Sequence, residues 1–150
     1  MRSVEIILSL NDEEPFPYRY YSFNYRPSVI TAQAYLLFGF RHDNHSWSID
    51  EISFVDKTDN REKFMDGGFE SNYLRKNYSQ CILSNTQKSN GDILFDLPYM
   101  GDFYYNDQTT IGMTYLTQTV SVTGGRYYNV SFYIENRGYA KNNFILLIGS

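Results

Sequence analysis

His42 and His45, the two histidines of this 150-residue chain, stand three residues apart and close to Asp43 and Asp50, a grouping that invites a search for nucleophilic or zinc chemistry. Neither belongs to a recognisable nucleophile or zinc-binding motif. Two carboxylates in suitable relation could cleave a glycosidic bond, yet the carboxylates here fall in turn-like stretches such as Asn11-Asp12-Glu13-Glu14-Pro15 and Asp56–Arg61. These residues point away from an enzyme. Cys81 is the single cysteine, so no intrachain disulfide can form, and it reads as a buried, inert thiol. The remaining chemistry lies in side chains on the polar side of alternating segments. They are Tyr20, Arg41 and Tyr133, with Asn24 and Asn129 as hydrogen-bonding neighbours. Gln118 has the parity of Leu116 and Val120 and therefore reads as a buried hydrogen-bonding residue.

The elements that must hold these residues are strands, because period two dominates the chain. In 127–135, Tyr128, Val130, Phe132 and Ile134 take one face and Asn129, Ser131, Tyr133 and Glu135 the other. In 19–25, Tyr21, Phe23 and Tyr25 alternate with Tyr20, Ser22 and Asn24. In 36–41, Leu36, Phe38 and Phe40 alternate with Leu37, Gly39 and Arg41. Further strands are expected over 4–10, 47–55, 93–97, 115–122 and 144–148. Turn signals at 11–15, 26–28, 42–44, 90–92, 124–125 and 136–138 separate them. About eight strands with short polar connections predict a sandwich or barrel. Residues 70–90 lack alternation and read as a loop. The 15 Tyr and 11 Phe agree with this, since aromatic residues favour pleated, half-buried surfaces. Trp47, the only tryptophan, is expected to be packed beside His45 and Ile49.

Charge and hydropathy narrow the partners. With 13 Lys and Arg against 17 Asp and Glu, the net charge of −4 offers nothing to a nucleic-acid backbone. Apolar runs of about five residues are far short of the roughly 20 that a membrane helix needs. No membrane or nucleic-acid partner is therefore expected. Glu5 sits where a signal peptide would carry its apolar stretch, so no secretory signal is read at this end. The acceptor sequons Asn44-His45-Ser46, Asn77-Tyr78-Ser79 and Asn129-Val130-Ser131 would suit an extracellular or secreted protein, as part of a longer precursor.

Three stretches carry a resemblance. They are Asp66-Gly67-Gly68-Phe69-Glu70; Tyr115–Val120 followed by Gly124-Gly125-Arg126-Tyr127-Tyr128-Asn129-Val130-Ser131-Phe132; and Trp47-Ser48-Ile49-Asp50-Glu51-Ile52-Ser53. Together they resemble landmarks of the jelly-roll carbohydrate-binding modules of the galactose-binding-like type. The resemblance implies an all-β, two-sheet antiparallel jelly-roll sandwich. Its halves come in swapped order, because residues 1–59 resemble the C-terminal half of a module and residues 60–150 the N-terminal half. The chain is then one domain over 1–150, either circularly permuted or spanning two tandem repeats. Cys81 matches one position of a family cysteine pair whose partner region, Phe103–Asp107, has no cysteine.

The resemblance also implies a function and a site. It predicts a non-catalytic module that binds glycans through aromatic rings stacked on pyranose C–H surfaces, with polar side chains on the hydroxyls. Tyr20, Arg41, Tyr133, Asn24 and Asn129 are the candidates. A structural Ca²⁺ would be carried over to the Asp50 and Glu70 carboxylates and the Gly68 carbonyl, oxygen ligands of the kind this ion takes. The alternative is a structural or adhesion repeat of a larger extracellular protein, without sugar binding and with neighbouring repeats as partners.

Overall fold

Alternation of large apolar with small polar residues predicts strands that bury one side, and a computed structural model, which describes residues 3–82 and 91–150, consists almost wholly of them. The strands are β1 (Val4–Asn11), β2 (Phe16–Tyr25), β3 (Gln33–His42), β4 (Trp47–Asp56), β5 (Arg61–Glu62), β6 (Ser79–Ile82), β7 (Gly91–Leu94), β8 (Tyr104–Asp107), β9 (Thr114–Ser121), β10 (Tyr128–Asn136) and β11 (Asn142–Gly149). A single 3₁₀ turn spans Leu74–Lys76 among the described residues. Two antiparallel sheets form a sandwich: a five-stranded sheet in the order β1-β11-β3-β9-β6, and a six-stranded sheet in the order β2-β10-β4-β8-β7, with β5 joined to β4.

The pairing follows one rule. β1 pairs with β11, β2 with β10, β3 with β9 and β4 with β8, as though one long hairpin had been rolled up. None of the described pairings joins two of the strands β1 to β4 to each other. Every strand of the first 59 residues is therefore completed by the rest of the chain, and the two parts share one core. At the open end of the roll, the Ser150 N–H donates to the Ser3 carbonyl at 3.0 Å.

The core is aromatic. Phe38 meets Phe132 and Phe64 edge to face, at centroid distances of 5.7 and 6.4 Å. Trp47 is fully buried, with its ring against Phe16, Phe144 and His42 and its indole N–H donating to the Arg41 carbonyl at 2.9 Å. The ring packed on it is thus His42 rather than His45. Gln118 is buried as its parity requires, accepting from the Met65 N–H at 2.7 Å and donating to the Met65 carbonyl at 2.9 Å.

Further expectations are corrected. Cys81 is exposed, not buried, because it lies on β6 opposite Tyr115 and so shares the outward side of that edge strand. The segment 66–70 forms consecutive turns and no strand, with Asp66 and Phe69 at positive φ. Its single apolar residue, Phe69, turns inward to stack on Tyr78 and Tyr105. Residues 70–90 are not all loop, since β6 forms there, while 83–90, together with Asn90 of the expected turn, lie outside the described residues. The strand expected over 93–97 ends at Leu94.

The turn at 66–69 depends on one glycine. Gly67 lies against β4, where its carbonyl accepts the Ile52 N–H at 3.0 Å. A Cβ on Gly67 would come within 1.8 Å of the Ile52 carbonyl oxygen, whereas one on Gly68 would meet only the movable Glu51 side chain at 2.8 Å. Gly67→Ala should therefore lower stability by about 3 kcal/mol, the cost of forcing backbone apart, and Gly68→Ala by much less. Thermal melts of the two variants check this; equal losses would contradict it.

Candidate functional site

The site is built on the outer face of the six-stranded sheet. In β2 and β10, Tyr20 lies opposite Tyr133, Ser22 opposite Ser131 and Asn24 opposite Asn129. On the other flank of β10, Ser53 of β4 faces Ser131. The result is a shallow strip of hydroxyl and amide groups with tyrosines at one end. The Tyr20 and Tyr133 rings touch, with centroids 5.0 Å apart. At the polar end, the Asn129 amide donates to the Ser22 hydroxyl at 2.9 Å and the Phe23 carbonyl at 3.2 Å. Four residues chosen from parity alone, Tyr20, Asn24, Asn129 and Tyr133, thus share one face. Arg41 does not join them. It lies on β3 in the other sheet and is paired with Asp43 at 3.0 Å.

A third ring completes the platform. Tyr99, from the connection between β7 and β8, stacks on Tyr133 with centroids 3.7 Å apart and planes 15° from parallel. Tyr18 meets Tyr99 edge-on at 5.7 Å. Sequence periodicity missed Tyr99 because it stands in a non-repetitive loop, where alternation carries no information.

That loop, residues 95–103, is held as a strap across the sheet. The Asp50 carboxylate accepts the N–H groups of Tyr99 and Met100 at 3.0 and 3.1 Å. The Glu70 carboxylate accepts those of Asp102 and Phe103 at 2.9 and 3.3 Å. The Tyr18 hydroxyl donates to the Leu97 carbonyl at 2.9 Å, and the Tyr104 hydroxyl to the Asp96 carboxylate at 2.6 Å. Arg137 lies over the Tyr104 ring and is paired with Glu135 at 2.6 Å.

Asp50 can serve the strap because β4 carries a bulge. Its register against β10 skips between Ser53 and Asp50, with Glu51 at φ 52°. Two successive residues, Glu51 and Ile52, therefore face one partner, and the parity of β4 resets. Ile52 and Phe54 return to the core, while Asp50 is left on the outer side under the strap.

The three residues that the resemblance assigns to calcium, Asp50, Gly68 and Glu70, gather beside this strap. The Gly68 Cβ direction points at Glu51, and Glu51 and Glu70 repel each other enough to help hold the Glu51 carboxyl above its usual range, after burial, which is the larger cause. As arranged, Asp50 and Glu70 accept backbone N–H groups, whose positive ends lie where a cation would approach. Among the described residues, no three His, Cys, Asp or Glu side chains form a metal-holding group. The carboxylates fit N–H donors in this arrangement rather than a cation. No helix among the described residues is long and apolar enough to cross a membrane.

Comparison with protein-family models, with curated proteins and with solved structures finds no match to this chain.

Burial lifts Asp50 from 3.8 to about 6, against the pull of its three N–H donors. An acid whose folded pKa exceeds its unfolded value holds its proton more tightly when folded. The stability it contributes is full below about 4 and is lost as pH rises through about 6. Asp107 is raised in the same sense by burial, whereas burial of His42 lowers its pKa and opposes the trend below its ordinary value. The contribution of Asp50 is isolated by difference. Asp50→Asn should gain less in melting temperature than the unaltered chain when pH falls from about 7.5 to about 5. Identical pH slopes for the two proteins would rule this out.

Proposed function

We propose that the outer face of the six-stranded sheet binds neutral glycans and that the chain has no catalytic role. The observation that carries this reading is Tyr99, strapped onto Tyr133 beside Tyr20 at the head of a strip of Ser and Asn side chains. Tyr20 and Tyr99 are 52% and 41% exposed, so ring faces are open to solvent. Apolar ring faces suit the C–H surface of a pyranose, and neighbouring hydroxyls and amides suit its hydroxyl groups. The strap is already tied at both ends by Asp50 and Glu70, so little ordering remains to oppose binding. The charges beside the rings disfavour an anionic sugar: Asp50 and Glu51 are acidic, and the Arg137 cation is neutralised by Glu135.

The first-with-last strand pairing and the contact between Ser3 and Ser150 support a jelly-roll unit that closes within this chain. The sequons support an extracellular setting. The alternative reading, a structural or adhesion repeat, draws its support from the apolar outer face of the other sheet.

A glycan array followed by titration calorimetry tests the proposal. Tyr99→Ala and Tyr133→Ala should each weaken binding at least tenfold, and Tyr20→Ala by a smaller factor, while Arg41→Ala should leave affinity unchanged. A blank array, or affinity indifferent to all three tyrosine changes, would end the glycan reading. Calcium, implied by the resemblance, adds its own measurement. A melting temperature that rises with calcium and falls back with chelator, both effects vanishing in Glu70→Ala, would support a clamp; a melt indifferent to both reagents would leave the N–H network as the whole of the strap's anchorage.

A further inference from the structure

The outer face of the five-stranded sheet departs from the apolar-in, polar-out alternation that β2 and β10 show. Strand β11 reads Asn-Asn-Phe-Ile-Leu-Leu-Ile-Gly, with Phe144, Leu146 and Ile148 in the core. The intervening Ile145 and Leu147 must face outward. Register extends this across the sheet: Ile6, Leu147 and Leu37 form one outward row, and Ile145, Gly39 and Tyr115 the next. Strands that are apolar on both sides are characteristic of sheets covered on both sides. Ile6 is exposed and Leu37, Tyr115, Ile145 and Leu147 are half-buried by one another; an apolar patch of this extent, open on one side, marks an interaction surface.

Two further properties say what covers it. The face is nearly free of charge: among the described strands of this sheet, the one charged residue with outward parity is Arg41, at a corner, and Asp43 neutralises it. It therefore has nothing to attract a charged partner and nothing to repel a copy of itself. It is also smooth, because Ile145, Tyr115 and Met113 close over Gly39 so tightly that a Cβ there would lie 2.7 Å from the first two. Five strands spaced about 4.8 Å apart and averaging about 25 Å in length give roughly 600 Å² per copy. Two copies would bury about 1,200 Å², the lower end of specific interfaces.

We propose that this face is the interface of a two-fold symmetric homodimer in which the five-stranded sheets of two copies stack face to face. A two-fold interface presents the same patch from both sides, which an uncharged apolar sheet satisfies without matching charges. The tyrosine platforms then lie on opposite outer surfaces of the pair, so the dimer is bivalent and gains avidity on a repeating ligand. The dimer does not depend on the glycan reading, which uses the other sheet.

Sedimentation velocity of the full chain, from about one to a few hundred micromolar, the range expected of a small interface, tests this. The expected result is a monomer–dimer equilibrium. Leu37→Glu should give a monomer at every concentration, with unchanged circular dichroism. Thr117→Arg, at an outward position beside Leu37, should do the same and covers the case in which Leu37→Glu does not fold. Cys81, exposed in the row of Tyr115, supplies a second readout: its rate of reaction with a thiol reagent should fall as the dimer forms. A monomer at the highest concentration, a dimer that folded Thr117→Arg leaves intact, or a Cys81 rate unchanged by dimerisation would overturn the proposal.

Discussion

β10 runs between β2 and β4, and β11 between β1 and β3; this interleaving of late strands between early ones is what the remaining structure depends on. It places Phe132 and Phe144 against Phe38 in the middle of the sandwich and sets Tyr133 beside Tyr20. Apart from the two-residue β5 beside β4, no strand of the first 59 residues has a local hairpin partner to lean on. Pairings of such high sequence separation must close long loops before they are rewarded, which slows folding. They also mean that neither part can bury its apolar sheet face or satisfy its strand edges alone.

Much of the strand framework was legible in the sequence, and for a physical reason: strands such as β2 and β9 bury one side only, so the period of two survives. The bulge in β4 is written there too. Trp47 and Ile49 alternate with polar residues until Asp50 and Glu51 come in succession, after which Ile52 and Phe54 resume with shifted parity. Register was not legible. Tyr20 and Tyr133 could be placed on polar faces, but nothing local says that they face each other, nor that Arg41 belongs to the opposite sheet. β8 was also missed: Tyr104, Tyr105, Asn106 and Asp107 are all buried, since the strap covers the side that would otherwise face water.

The strap ties the two features of the candidate site together. Its carboxylate anchors belong to the segments that the family resemblance picks out, Trp47–Ser53 and Asp66–Glu70, yet their partners are backbone N–H groups of a loop in which no motif is visible. A buried carboxylate is tolerated when several N–H donors surround it, and Asp50 has three. The energetic burden of Asp50 and the rigidity of Tyr99 are thus two sides of one arrangement: burying the acid is what fixes the ring.

The sequon at Asn129 stands on β10 in the middle of the outer face rather than in a loop, with its amide engaged by Ser22 and the Phe23 carbonyl. Attaching an oligosaccharide there would strip the amide from those bonds and set a large flexible group on the same surface as Tyr20 and Tyr133. Material from a bacterial host and material from a eukaryotic secretory pathway would then carry different surfaces on an identical fold, and the choice of expression system becomes a variable of the ligand-binding experiment itself.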